Sequence, residues 1–170
     1  MVSNDDPLQI PVVHKPSSQR MQRDEFYLRI ARMQGERATC PRARGGTVVT
    51  VQNRIVSTGY AGAPTGLPHC FDVGCEIGED DPGCRRTVHA EISAITFAAR
   101  WGVSVAGGTL YTTYSPCYTC AKALINAGIA VVVYEIPYRD PHGLELLISA
   151  RITLRYFPLP SDKEPPLETD

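Results

Sequence analysis

Three residues of this sequence are strong ligands for a soft, tetrahedral metal ion: His89, Cys117 and Cys120, the two cysteines spaced C-x-x-C. Glu91 follows the histidine by two positions and offers a carboxylate that can carry protons. Structural zinc sites close all four coordination positions with protein, whereas catalytic sites leave one for water or substrate. One imidazole and two thiolates with an uncommitted carboxylate alongside fit the catalytic kind. Zinc held this way lowers the pKa of its water towards neutrality and so supplies a nucleophile. Glu91 then has the role of general acid and base, because a group that moves protons between nucleophile and leaving group has to stay off the metal. The competing reading is a closed zinc knuckle with another cysteine in the fourth position. That would reduce Glu91 to an acid in the first turn of a helix.

Four further cysteines, Cys40, Cys70, Cys75 and Cys84, make up a complete Cys₄ zinc set. They lie on, or on the approach to, a stretch over 59–87 rich in Gly, Pro, Cys and Asp, too long to order itself without help. His69, next to Cys70, is the alternative ligand, and inert buried thiols are the bland alternative. A disulfide framework would need a secretory context, but the first six residues are polar and acidic with no apolar signal core. Reduced, metal-binding cysteines in the cytoplasm are the expectation.

At 170 residues, 43% hydrophobic and 21% charged, the chain has the make-up of one soluble globular domain. Its net charge of -1 gives no global basic field, so a nucleic-acid partner is not expected. No apolar run approaches the length of a membrane span.

The elements that must position these residues are legible from pattern. Residues 1–22 read as a flexible arm and 158–170 as a disordered, proline-rich tail, leaving 23–157 as the catalytic domain. Phe26, Leu28, Ile30, Ala31 and Met33 recur at helical spacing, which predicts a helix over 24–37. Two β-branched runs, 47–51 and 54–58, predict a hairpin turning at Gln52-Asn53. Beyond the long loop come a helix over 88–100, a strand over 109–114 and a helix over 117–127. A strand over 129–135, a helix over 141–150 and an edge strand over 152–157 follow. The 129–135 strand is apolar on both faces, as a central parallel strand would be. Helices interleaved with strands predict an α/β layer structure. Both metal-binding stretches then fall at helix N-termini, whose positive ends favour thiolates.

The combination H-x-E with P-C-x-x-C is the pattern of zinc-dependent nucleobase deaminases. The wider sequence resembles the deoxycytidylate (dCMP) deaminase family, including its ComE operon protein 2 branch, within the cytidine deaminase-like superfamily. The matching residues include Ala38-Thr39-Cys40, Arg54 to Tyr60, Gly62-Ala63-Pro64, Gly66-Leu67-Pro68-His69-Cys70 and Val73-Gly74-Cys75. They go on through Cys84-Arg85, His89-Ala90-Glu91, Ser115-Pro116-Cys117, Cys120-Ala121-Lys122 and Ile125 to Ile129. The resemblance implies a three-layer α/β/α fold around a mixed five-stranded sheet, hydrolysis of dCMP to dUMP and ammonia, and a homohexamer. It also implies dCTP and dTTP effectors with Mg²⁺, and a second zinc in members with the extra cysteines. It sets Ala61, Ala90, Ser115, Pro116 and Tyr138 against the substrate. A phosphate requires cations, for which Arg42, Arg44, Arg85 and Arg86 are the candidates.

Two positions depart from the family. Ala61 stands where asparagine is usual, in Gly59-Tyr60-Ala61-Gly62, and Ser93 stands where asparagine usually follows the catalytic glutamate by two. Losing one substrate hydrogen bond at position 61 costs about 1 kcal/mol. Two expectations follow: ordinary dCMP with the contact replaced, or a 5-modified or otherwise altered cytosine nucleotide for which the missing side chain makes room. The competing functions are deamination of guanine or adenosine, and a non-catalytic zinc scaffold or regulatory subunit.

Overall fold

The computed structural model describes residues 20–42, 44–78 and 83–159. The arm and tail expected at the two ends lie outside the described residues, apart from 20–22 and 158–159. In chain order the elements are α1 (Arg23–Gly35), β1 (Gly46–Val51), β2 (Arg54–Tyr60), α2 (Cys70–Val73) and α3 (Ala90–Arg100), then β3 (Thr109–Tyr114), α4 (Tyr118–Asn126), β4 (Val131–Ile136), α5 (His142–Ser149) and β5 (Thr153–Tyr156). The strands form one mixed sheet in the order β2-β1-β3-β4-β5. β1 runs antiparallel to both β2 and β3, while β4 runs parallel to β3 and β5. The doubly apolar strand is therefore central and parallel on both sides, as its composition predicts.

Alternation along the strands builds the two faces. Val48, Tyr111 and Val133 stand in register across β1, β3 and β4, and pack against Tyr27, Leu28 and Ala31 of α1. Their sequence neighbours Val49, Leu110 and Val132 point the other way, towards Ala94 and Ala98 of α3, Ala121 and Leu124 of α4, and Leu147 of α5. One helix on one face and three on the other make the expected α/β/α sandwich. Leu159 is buried against the α1 side, so packing continues two residues past the expected domain boundary at 157.

The hydrophobic spacing within α1 misleads in one respect. Phe26 and Met33 are exposed, at 48% and 71%, and Tyr27 takes the core position instead. Tyr27 can do this because its hydroxyl donates to the Asn53 carbonyl at 2.7 Å, leaving no stranded polar group.

Two glycines bring the functional helices close to the sheet and to each other. A Cβ on Gly59 would lie 2.2 Å from the Ala90 carbonyl and 2.5 Å from the Ala94 nitrogen, so α3 can rest on β2 only with glycine here. Strand β2 consequently runs through Gly59 to Tyr60, two residues beyond its expected end. A Cβ on Gly143 would lie 2.0 Å from the Pro116 carbonyl, so the first turn of α5 sits directly on the segment leading into α4. Gly59→Ala is expected to cost about 2 kcal/mol through overpacking. A thermal melt should show this as a fall of about 4–8 °C in the unfolding midpoint.

Candidate metal and active site

His89 is the N-cap of α3 and Cys117 the N-cap of α4, both in extended backbone. Glu91 and Cys120 follow in the first turns. Because β3 and β4 are parallel and the two helices pack on one face, their N-termini converge. The Cys117 and Cys120 sulfurs each lie 3.4 Å from His89 Nδ1. Tetrahedral zinc with bonds of about 2.3 Å to sulfur and 2.0 Å to nitrogen separates such donors by about 3.5 Å, so the cluster fits the ion closely. Glu91, 5% exposed, lies 3.9 Å from the Cys120 sulfur through Oε2, beside the three donors rather than among them.

The electrostatics suit a cation. The Cys117 thiol is drawn down to about 4, first because Cys120 donates to it and then with help from His89, against the opposing effect of burial. Cys120 is pushed up for the reciprocal reason, with burial adding to it. The two sulfurs share one proton, and a dication would replace it. Burial pushes the Glu91 carboxyl above the ordinary carboxylate range, partly offset by its own backbone N–H and by His89.

The second cysteine set also comes together. The four sulfurs of Cys40, Cys70, Cys75 and Cys84 all lie within 4.8 Å of one another. Cys40–Cys75 and Cys70–Cys84 are each 3.6 Å apart, close to the separation of about 3.8 Å in a zinc–thiolate tetrahedron and far from a disulfide. Burial would raise the Cys84 thiol, but hydrogen bonds from Thr87 and the Glu76 and Arg86 backbone bring it to about 6. His69 stays outside this group as the N-cap of α2, its N–H donating to Asp72 Oδ2 at 3.0 Å. The long loop is thus tied by the sulfurs, by α2 and by the bridges Gly62–Val88 and Ile77–Cys84.

A cavity of about 490 Å³ opens on the first cluster, within the size range of about 300–1,000 Å³ typical of small-molecule sites. His89, Glu91 and Cys117 line it, and so do Cys40 and Cys84, so the two cysteine centres share one cavity. Ala61 and Ala90 line it beside Gly45, where an added Cβ would sit 3.6 Å and 3.7 Å from their Cβ atoms. Ser115 and Tyr138 also line it, and Ser115 Oγ accepts the Tyr138 N–H at 2.8 Å. Pro116 is fully buried beneath α5 and does not reach the cavity.

The arginine candidates divide. Arg42 lines the cavity; Arg44 does not, because Glu36 at the end of α1 draws its guanidinium away at 2.8 Å. Arg86 pairs with Glu76 at 3.5 Å and Arg85 lies against Gly78, both outside the cavity. Sequence reasoning missed Gly45, Thr87, Tyr114 and Arg139. The one signal for Arg139 was its place directly after Tyr138 in a turn-forming Pro137 to Pro141 segment.

Residues 21–136 match the family model described as the cytidine and deoxycytidylate deaminase zinc-binding region. The chain is 34% identical over 137 residues to ComE operon protein 2 of Bacillus subtilis, covering 80% of this chain and 71% of that protein. It is 34% identical over 139 residues to the deoxycytidylate deaminase of Saccharomyces cerevisiae, covering 79% of this chain but only 44% of the yeast protein. The crystal structure of dCMP deaminase from cyanophage S-TIM5, in complex with dCMP and dUMP, superposes with a TM-score of 0.71 at 28% identity. It covers 81% of this chain and all of the phage chain. The convergent His/Cys/Cys donors, the adjacent carboxyl, the mixed sheet and these matches agree: the chain belongs to the zinc-dependent cytidine and deoxycytidylate deaminase family.

Proposed function

We propose that this protein hydrolyses dCMP to dUMP and ammonia. The reading rests on one observation: a buried carboxyl, Glu91, beside a three-donor metal cluster that opens on a nucleotide-sized cavity. His89, Cys117 and Cys120 would hold zinc, which supplies Lewis-acid activation of water when bound. Glu91 takes the proton shed by the attacking water and delivers it to ring N3 of the cytosine. It then carries the second proton to the departing amine at C4, so that water and dCMP account for every atom of dUMP and ammonia. Burial helps, because a carboxyl with a raised pKa can hold the proton between these transfers.

The second set, Cys40, Cys70, Cys75 and Cys84, is proposed to hold a structural zinc, supported by sulfur separations that fit the ion. The assembly is proposed to be a homohexamer that responds to dCTP and dTTP with Mg²⁺, as the family resemblance implies. A cytoplasmic location accords with six cysteines that are all free of disulfides. No helix among the described residues is long and apolar enough to cross a membrane.

A second reading, a 5-substituted cytosine nucleotide, is favoured by one observation. Gly45, Ala61 and Ala90 form a patch of small residues on the cavity wall that leaves space for an added methyl or hydroxymethyl group. Ammonia release from dCMP, 5-methyl-dCMP, 5-hydroxymethyl-dCMP, dCTP, deoxycytidine and guanine separates the readings. Turnover of unmodified dCMP supports the first, and silence on all of them defeats the enzyme reading.

Glu91→Gln should lower kcat by at least about 100-fold while leaving zinc content unchanged, measured by steady-state kinetics and metal analysis. Cys75→Ser should lower zinc from about two ions per chain to about one and reduce the unfolding midpoint. Full metal content in that variant would remove Cys75 from the ligand set.

A further inference from the structure

We propose that Thr87 is a positioning residue whose hydroxyl ties the second cysteine centre to the segment that ends in His89. An ion held by Cys40, Cys70, Cys75 and Cys84 then strengthens the hold of His89, Cys117 and Cys120 on theirs. The inference rests on the two-zinc deaminase reading.

The chain passes from Cys84, a donor of the second set, to His89, a donor of the first, through residues 85–88 alone. Its backbone is pinned twice on the way. The Thr87 N–H donates to the Cys84 carbonyl at 3.3 Å, closing a turn at Arg85-Arg86. Val88 then pairs with Gly62 in both directions, its N–H donating at 2.8 Å and its carbonyl accepting at 3.2 Å. In extended backbone, side chains two positions apart point to the same side. Thr87 and His89 obey this rule and both line the cavity, on either side of Val88.

The Thr87 side chain adds a third anchor, this one on sulfur. Its Oγ1 lies 3.7 Å from the Cys70 sulfur, and the hydroxyl also hydrogen-bonds to the sulfurs of Cys40 and Cys84. One half-buried hydroxyl is thus shared among three of the four donors. Outer contacts of this kind orient metal ligands and tune their grip. With an ion among the four sulfurs, the hydroxyl has a rigid partner, and His89 inherits its position two residues on. Without one, the segment keeps only its backbone anchors, and the imidazole is held less firmly against the sulfurs of Cys117 and Cys120, 3.4 Å away. Such coupling between two sites is reciprocal.

The test loads the full-length protein with zinc and reads the affinity of each ion by competition with a coloured chelator. Thr87→Val, Thr87→Ser, Cys75→Ser and the double variant Thr87→Val/Cys75→Ser are compared with the wild type, and circular dichroism checks that each is folded. The ion that Cys75→Ser removes marks the second centre, and its loss should weaken the remaining ion roughly 10-fold. Thr87→Val should weaken the second ion roughly 10- to 100-fold. In that background, adding Cys75→Ser should change the first ion by no more than about 2-fold. Thr87→Ser, which keeps the hydroxyl, should follow the wild type. The same weakening of the first ion by Cys75→Ser with and without Thr87 would overturn the proposal, and so would a serine variant that behaves like valine. A wild type that carries one ion overturns it together with the second-zinc reading. A wild type with two ions that releases no ammonia from dCMP defeats the deaminase reading alone, because the chelator competition decides the role of Thr87 by itself.

Discussion

The rest of the structure depends on a concentration of negative charge that only a cation makes tolerable. Cys117, Cys120 and Glu91 are brought within a few ångströms of one another, and the last two are almost completely buried. Desolvated anions at this range repel strongly, and burial alone would drive each of them to keep a proton. Opposite shifts on the two sulfurs express that conflict, since one proton serves both. A dication between His89, Cys117 and Cys120 would resolve it, and in the proposed reaction Glu91 would then be left to exchange protons with the substrate. Convergence of two helix N-termini adds partial positive charge at the same point.

The fold can be read as the scaffold for that convergence. Parallel pairing of β3 with β4 sets α4 on the face already occupied by α3, and the two close contacts at Gly59 and Gly143 fix their heights. The second cysteine centre serves the same cavity from another side. Cys40 and Cys84 line it, and Arg42 follows Cys40 by two residues, so ordering the long loop also positions a wall and a cation. The extra cysteines are thus part of the construction of the site as well as of its stability.

What the sequence made legible follows from how local the constraint is. Metal ligands need particular atoms at particular spacings, so His89, Cys117 and Cys120 stood out, with Glu91 as the uncommitted carboxylate beside them, and the two sets of cysteines separated by arithmetic. The sheet was legible because strands near its centre have apolar residues on both faces. Residues defined by tertiary contact were harder to see. Arg139 reads as a solvated turn residue until Ser115 captures the backbone of its neighbour Tyr138, 23 positions further on. Arg44 looked equal to Arg42, yet Glu36 claims it across the end of α1. Tyr27 falls outside the spacing drawn through Phe26, and the Asn53 carbonyl that lets its hydroxyl be buried lies 26 residues away. Ala61 was legible as a departure, but its place beside Gly45 and Ala90 needed the fold.

Charge accounting links the two ends of the cavity. Zinc with two thiolates and an imidazole is formally neutral, so the reacting end contributes only the charge of Glu91. A monophosphate brings about -1.5 to -2 near neutral pH. Arg42 and Arg139 are the arginines on the cavity lining among the described residues. A triphosphate would carry excess charge into a cavity with no further arginine on its lining among the described residues. The small residues Gly45, Ala61 and Ala90 shape the wall of the same cavity and add no charge of their own, so they bear on its size and not on its electrostatics.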